Sequence, residues 1–302
     1  MAGGQERVLR RRIRSVQSTR KITKAMELIA ASRIVRAQAR IAANRPYRVG
    51  MAKVLRQVVS EDPTAAAKLL GSPENPERIG VLAIVGDRGL AGSYNSGVER
   101  ATDRLVAEHV RNGADVTLWT VGKKAPGYFR YRGMEVAHSF AGIADRPEFA
   151  DAREVAAVVS APFVAEEVQV VQMVSTRFIS AGVQRVEVQQ LLPLPLPEPE
   201  EGEQAPGEKV ATGYTEFEPD VETLLAKLAP RATEAEIFAA LLEGSAAFFT
   251  AQQRAMAAAT DNADELVRTL TRVMNRARQD SITTEIMEIV GGAEALRQSK
   301  GA

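Results

Sequence analysis

Residues 221–297, VETLLAKLAPRATEAEIFAALLEGSAAFFTAQQRAMAAATDNADELVRTLTRVMNRARQDSITTEIMEIVGGAEALR, decide the fold. After Pro230 the stretch contains no proline, and its only glycines are Gly244, Gly291 and Gly292. Ala, Leu, Glu, Arg, Met and Gln fill most of the rest, and these are strong helix formers. Leu224, Leu228, Ala235, Phe238, Leu242, Phe249, Met256, Ala259, Ala263, Leu266, Leu270, Val273 and Ala277 recur at alternating steps of three and four. Arg231, Ser245 and Gln252 fall on the same stripe. A pattern sustained this long predicts a left-handed coiled-coil seam rather than one face of a short globular helix. At 1.5 Å per residue such a helix runs roughly 110 Å, and it needs a partner along its length.

The other end of the chain offers that partner. From Gln5 to about Ser60, a second three-four stripe passes through Leu9, Ile13, Val16, Thr23, Ala30, Ile34, Ala37 and Ile41, broken by Arg20 and Glu27. Arg45-Pro46-Tyr47 predicts a kink or an end to the continuous pairing, because proline removes a helix hydrogen bond. The first 48 residues hold thirteen Arg and Lys against Glu6 and Glu27, an excess of eleven positive charges in a chain whose formal net charge is +1. A solvated basic face is the plainest account. Nucleic-acid binding is a sharper one, and a rod inside an electronegative protein sleeve is a third.

Between the two helices the pattern changes. Residues 61–78 read as a connector, ending rich in Pro, Gly, Ser and Asn. Gly80 to Val85 is an apolar run of buried-strand type, followed by the glycine-bearing turn Gly86-Asp87-Arg88-Gly89-Leu90-Ala91-Gly92. A helical segment (Ser96–Arg111), a strand (Asp115–Val121), another helical segment near Pro147–Glu166, and strands Gln169–Val174 and Gln184–Leu192 come next. This rhythm predicts a central Rossmann-like α/β domain over residues 79–220. Within it, residues 192–213 are rich in Pro and Glu and read as an exposed acidic loop. Tyr214–Pro219 reads as a short edge strand. The predicted class is α+β: a long antiparallel coiled coil of the N-terminal helix (1–60) and the C-terminal helix (221–302) around that domain. Both termini then lie at one end of the rod, and the longer second helix projects beyond the first.

Chemistry is sparse. The chain has no cysteine, which excludes disulfides, thiol nucleophiles and thiolate metal sites. Its two histidines, His109 and His138, lack ligand-spaced neighbours, so neither metal nor other cofactor is expected. The turn after the first strand lacks the Gly-Lys-Ser/Thr ending of a phosphate loop and the dinucleotide spacing, and reads as a plain glycine-permitted turn. No catalytic constellation is visible, so the chain is expected not to be an enzyme by itself. No run of 18 apolar residues exists, and no signal-type h-region follows the arginine-rich start; a soluble, cytoplasmic chain is expected unless a partner holds it at a membrane. The seam fails after Ala277. Arg272, Arg276, Gln279 and Thr283 then line one side, and Ile282, Ile286, Ile289, Ala293 and Leu296 form a new apolar ridge. A ridge this apolar predicts a helix tip enclosed by other subunits.

Several motifs resemble one family. At the N-terminal side these are Ile13-Arg14-Ser15-Val16, Lys21-Ile22-Thr23-Lys24-Ala25-Met26-Glu27-Leu28 and Ala30-Ala31-Ser32. In the middle stands Asp87-Arg88-Gly89-Leu90-Ala91-Gly92-Ser93-Tyr94-Asn95. Toward the C-terminus come Phe217-Glu218-Pro219-Asp220, Ala259-Thr260-Asp261-Asn262-Ala263, Asn275-Arg276-Ala277-Arg278-Gln279 and Glu288-Ile289-Val290-Gly291-Gly292-Ala293. Taken together and in order, they resemble the gamma subunit of the F-type ATP synthase, bacterial type. Ala91 stands where that family often has cysteine, and the thiol-bearing insert of chloroplast members is absent. The resemblance implies a non-catalytic central-stalk rotor for ATP synthesis and ion transport. Its partners would be the alpha and beta subunits as a hexamer, the epsilon subunit and the membrane c-ring, with no nucleic acid and no cofactor. It further implies that Lys21, Met26, Arg278, Gln279 and Thr283 contact beta, and that Arg33 and Glu218 serve the c-ring side. The place expected is the cytoplasmic face of a bacterial plasma membrane, peripheral; a start without a transit peptide favours a bacterium. A basic coiled-coil nucleic-acid-binding architectural protein is the alternative, carried by the basic first helix alone.

Overall fold

The structure, a computed structural model, describes residues 2–61, 73, 75–195 and 220–300. Its elements follow in the order α1 (Ala2–Glu61), β1 (Arg78–Ile84), α2 (Tyr94–Arg111), β2 (Asp115–Val121), α3 (Ala125–Tyr131), β3 (His138–Phe140), α4 (Phe149–Val164), β4 (Val170–Phe178), β5 (Gln184–Leu192) and α5 (Val221–Lys300). Two compact units emerge. One comprises Met1–Ala30 with Gln253–Ala302, the other Ala31–Gln252.

The first unit is the antiparallel helix pair. Thr23 Oγ1 lies 2.8 Å from Thr260 Oγ1, and Arg20 Nε lies 2.5 Å from Asp264 Oδ1, so numbering rises along α1 as it falls along α5. On α1 the expected stripe is covered: Ile13, Thr23 and Ala30 are buried, and Leu9 and Val16 half-buried. On α5 the covered stripe runs Met256, Thr260, Ala263, Val267, Leu270, Met274 and Ala277. This corrects every second position of the expected seam. Ala259 is only half-buried, and Leu266 and Val273 are 40% and 48% exposed. Both registers share Met256, Ala263, Leu270 and Ala277, and polarity misled the choice between them. Thr260 enters the seam without stranding its hydroxyl, which donates to Met256 O and meets Thr23 across the interface. The charged interruptions are accommodated in the same way, Arg20 by Asp264 and Glu27 by Lys24 at 3.0 Å.

The second unit holds a five-stranded sheet in the order β3-β2-β1-β4-β5. The first four strands are parallel, and β5 runs antiparallel to β4. Helices cover both faces. Ile79, Val81, Ala83 and Val85 pack with α2 and α3, while Leu82 and Ile84 pack with α4 and the Ile237–Leu241 part of α5. Burial on both sides is why β1 reads as a continuous apolar run instead of an alternation. Within it, Gly80 leaves room for the Trp119 ring, whose Cζ3 would sit 2.3 Å from an added Cβ.

Several expectations change here. α3 and β3, seven and three residues long, were not anticipated, because elements this short carry no readable period. β4 extends to Phe178, held by pairing with β5 down to Phe178↔Gln184. α1 does not end at Arg45-Pro46-Tyr47. Pro46 is exposed, and beyond it Leu55 and Val58 pack with Leu194, Leu225 and Ala232, which carries the helix past the lost hydrogen bond. Nor is α5 a simple two-helix seam in this unit. From Ala232 to Thr250 nearly every side is covered, Ile237, Leu241 and Phe248 included; Arg231 is exposed. The start of the predicted acidic loop is not exposed either: Leu192 ends β5 and Leu194 joins the Leu55–Leu225 cluster, both buried. Residues 62–72 and 74 of the connector, 196–213 of the acidic loop, and Tyr214–Pro219 with Glu218 lie outside the described residues.

Candidate functional site

Three places carry the residues singled out by sequence. The first is the distal end of α5. Arg278, Gln279 and Thr283 are all exposed there, as is the ridge of Ile282, Ile286 (53%) and Ile289 (73%) with Val290. Steps of four and three set the isoleucines on one side of the helix. Thr284 Oγ1 turns back to Asp280 O at 2.9 Å, while Arg278, Gln279 and Thr283 stand exposed beside that ridge.

The second place is α1 around Thr23, where Lys21 lies opposite the seam and Met26 at its flank. Lys21 is exposed and Met26 half-buried. Around them Ile22, Leu28 and Ile29 are exposed as well, and sequence reasoning passed these over because they lie off the stripe. With Thr23 opposite Thr260, Lys21 and Met26 lie roughly 25 and 30 Å along the helix axis from Arg278. They form a separate surface, not part of one pocket.

The third is the C-terminal edge of the sheet, where the sequence suggested only a permissive turn. Asp87 accepts hydrogen bonds from the backbone N–H groups of Lys123 (3.1 Å), Gly142 (2.7 Å) and Ala144 (3.0 Å), tying together the loops that follow β1, β2 and β3. Asn95 Oδ1 accepts from Gly86 N at 3.0 Å, and its Nδ2 donates to Arg88 O at 2.8 Å. Gly122 adopts φ +100°, and a Cβ there would lie 2.2 Å from Val85 O. The motif from Asp87 to Asn95 thus serves its own backbone. Ala91 is buried beside Ile34, Tyr94 and Phe248, which accounts for a small side chain at this position. Arg33 belongs here rather than on a free surface. Its guanidinium lies 5.2 Å from the Phe249 ring centroid and 4.0 Å from Asp145 Oδ2, which Arg88 also meets at 2.8 Å.

In an open α/β sheet, ligands bind outside the strand C-termini where the strand order reverses. Here that point lies between β1 and β4, and α5 occupies it. A Cβ at Gly86 would meet the Phe248 ring at 3.0 Å, and one at Gly244 would meet Tyr94 Oη at 3.0 Å. Glu243 accepts from Phe178 N at 3.1 Å. Burial pushes the Glu243 carboxyl above its ordinary pKa, opposed by that hydrogen bond and by Arg48 and Arg177; burial likewise raises Tyr94. Beside Glu243 a cavity of about 1110 Å³ opens between α1, α5 and the β4–β5 hairpin, where Arg48 reaches Glu236 at 3.2 Å and Glu243 at 3.8 Å.

Neither histidine is arranged for catalysis. His109 Nε2 is 2.7 Å from Gln172 Oε1, and His138 packs against Phe140. Among the described residues, no group of three His, Cys, Asp or Glu side chains is placed to hold a metal, and no helix is long and apolar enough to cross a membrane.

Comparison with known proteins supplies the context. The ATP synthase family model matches residues 5–296. The ATP synthase gamma chain of Parafrankia sp. (strain EAN1pec) is 46% identical, over 97% of this chain and 98% of the relative. That of Frankia casuarinae is 44% identical, again over 97% and 98%. Among solved structures, the Tetrahymena thermophila mitochondrial ATP synthase central stalk/c-ring aligns with a TM-score of 0.61 at 25% identity, covering 79% of this chain and 99% of that one. A chain of the Euglena gracilis mitochondrial ATP synthase aligns at 0.65 over 99% and 97%, and its 17% identity speaks to the fold alone. A match this complete in sequence leaves one assignment: the chain belongs to the ATP synthase gamma chain family.

Proposed function

We propose that this chain is the central-stalk rotor of a rotary ATP synthase, coupling proton flow through a membrane c-ring to conformational change at catalytic sites on an alpha/beta hexamer. The observation that carries this reading is the distal end of α5, where an apolar isoleucine ridge stands exposed beside Arg278 and Gln279. In water such a ridge is a liability; inside an apolar sleeve it is a bearing, because non-directional contacts strand no polar group as the helix turns. Arg278, Gln279 and Thr283 would then make the contacts that distinguish one beta subunit from the next. A shaft shifts three sites relative to one another only if its interaction with each differs, and charge-assisted hydrogen bonds supply that difference while remaining breakable. Lys21 and Met26 would face a second beta segment lower on the rod.

The sheet unit would rest on the c-ring side and meet the epsilon subunit. Arg33 would act there by bracing the Asp145 loop, and Glu218 by offering a carboxylate. The chain itself would be non-catalytic, a reading supported by the side chains of α5 that fill the crevice where this class of sheet binds ligands. It would sit peripherally at the cytoplasmic face of the plasma membrane, held through the complex. Membership of the gamma chain family leaves the nucleic-acid alternative without support, and the excess charge on α1 finds its use against beta carboxylates.

The test is the reassembled complex. Gln279→Leu and Arg278→Ala are expected to lower its ATPase activity by about tenfold while the sheet unit stays folded, a loss equivalent to roughly 1.4 kcal/mol. Met26→Lys should lower protons pumped per ATP hydrolysed, by adding a cation that pairs too strongly with beta. Normal turnover and normal pumping in all three would refute the reading.

A further inference from the structure

We infer that residues 243–249 of α5 form the torque joint that fixes this helix to the sheet, an inference that rests on the rotor reading above. Four residues within six positions hold the sheet's C-terminal edge at several points. Glu243 accepts from Phe178 N, at the end of β4. Gly244 lets the Tyr94 hydroxyl, at the start of α2, come within 3.0 Å of where its Cβ would be. Ser245 Oγ donates to Asp145 O at 2.9 Å, in the loop after β3. Phe248 closes on Gly86 at the end of β1 and stacks edge-on with Tyr94, ring centroids 5.5 Å apart.

The angular distribution of these contacts gives them their meaning. Successive helix residues point about 100° apart, so residues 243, 244, 245 and 248 grip the helix over roughly 200° of its circumference. A helix packed along one stripe can roll on its neighbour, whereas one held on several sides cannot turn about its own axis without breaking a directional contact. Two of the four are hydrogen bonds to backbone atoms, and a third is a close approach that an added methyl would crowd. Tight packing of this kind transmits displacement instead of absorbing it. Arg33, over the Phe249 ring and beside Asp145, ties α1 to the same loop. The crevice that related sheet architectures give to a ligand is here given to a drive shaft.

The experiment uses the intact ATP synthase in inverted membrane vesicles, reading ATP hydrolysis and ATP-driven proton uptake together. Phe248→Ala is expected to leave hydrolysis near wild type and to cut proton uptake per ATP by about threefold, as the joint slips between discrete packings. Gly244→Ala, a single methyl facing Tyr94 Oη, should cut the ratio by about 1.5-fold and serves where the larger change prevents assembly. Phe129→Ala, which opens the core under α2 and α3 away from α5, should lower the yield of complex without changing the ratio. A wild-type ratio in an assembled Phe248→Ala or Gly244→Ala complex would overturn the joint, as would an equal loss in Phe129→Ala. If the wild-type complex itself hydrolyses ATP without proton uptake, the rotor reading fails first, and the two failures are thereby told apart.

Discussion

Helix α5 is comparably apolar between Ala232 and Thr250 and between Ile282 and Val290, yet the surroundings are opposite. The inner stretch is covered on nearly every side by the sheet and by α1; the outer stretch is exposed on every side. An apolar helix segment in water states only that something must cover it. What differs is that the inner stretch finds its cover within the chain and the outer stretch does not. The inner segment mixes Ala, Gly and Ser with Phe and Leu, small residues that admit loops and rings to close range. The outer segment carries β-branched isoleucines with Arg278 and Gln279 beside them, a surface suited to a smooth apolar wall with a few polar stops.

The contrast can be broken most severely at its inner side. Gly122→Ala places a methyl against Val85 O in a left-handed backbone position, and should destabilise the isolated chain by about 3 kcal/mol or more in chemical denaturation. Next comes the helix pair, where Thr23→Val removes one of two facing hydroxyls and should cost about 1 kcal/mol. The double change Thr23→Val/Thr260→Val should cost less than the two single changes added, because both polar partners leave together; strict additivity in the double-mutant cycle would contradict the pairing.

A smaller effect is expected of Glu243. Its carboxyl is raised by burial, so the folded chain binds this proton more tightly than the unfolded one. Stability from this group is therefore greatest below the ordinary carboxylate range and declines as pH rises toward the raised value, above which the loss is constant. Glu243→Gln removes that dependence while still accepting from Phe178 N. Melting temperature measured from pH 4 to 7 should fall less steeply in the variant, by a few degrees, and parallel curves would show the carboxyl to be solvated. Least of all should happen at the outer end. Ile282→Ser/Ile286→Ser/Ile289→Ser is expected to change the stability of the isolated chain by less than about 0.5 kcal/mol. A larger loss would mean the ridge already has cover within the chain.

The rod was legible because its signal is long: the α1 stripe and four of the seven covered α5 positions in the helix pair follow from spacing alone. The register at Thr260 was not, since a threonine looks like a poor seam residue until its hydroxyl is seen to have two partners. Strands β1, β2 and β5 announced themselves through apolar runs and turns, whereas α3 and β3 are too short to. The break in register pointed to Gln279 and Thr283, the resemblance added Arg278, and all three lie on one exposed helix end. The roles of Asp87, Gly244 and Phe248 were hidden, because each depends on a neighbour far away in sequence.

Asp87 has one more consequence. β3 contributes only three residues to the sheet, and the loop that follows it is moored to that carboxylate through Gly142 and Ala144 and, through Asp145, to Ser245 and Arg88. Were the mooring lost, the short strand would come away and leave the outer margin of β2 bare. An unpaired parallel margin is a template for recruiting other polypeptides. The acidic side chain in this turn therefore helps keep that margin of β2 paired.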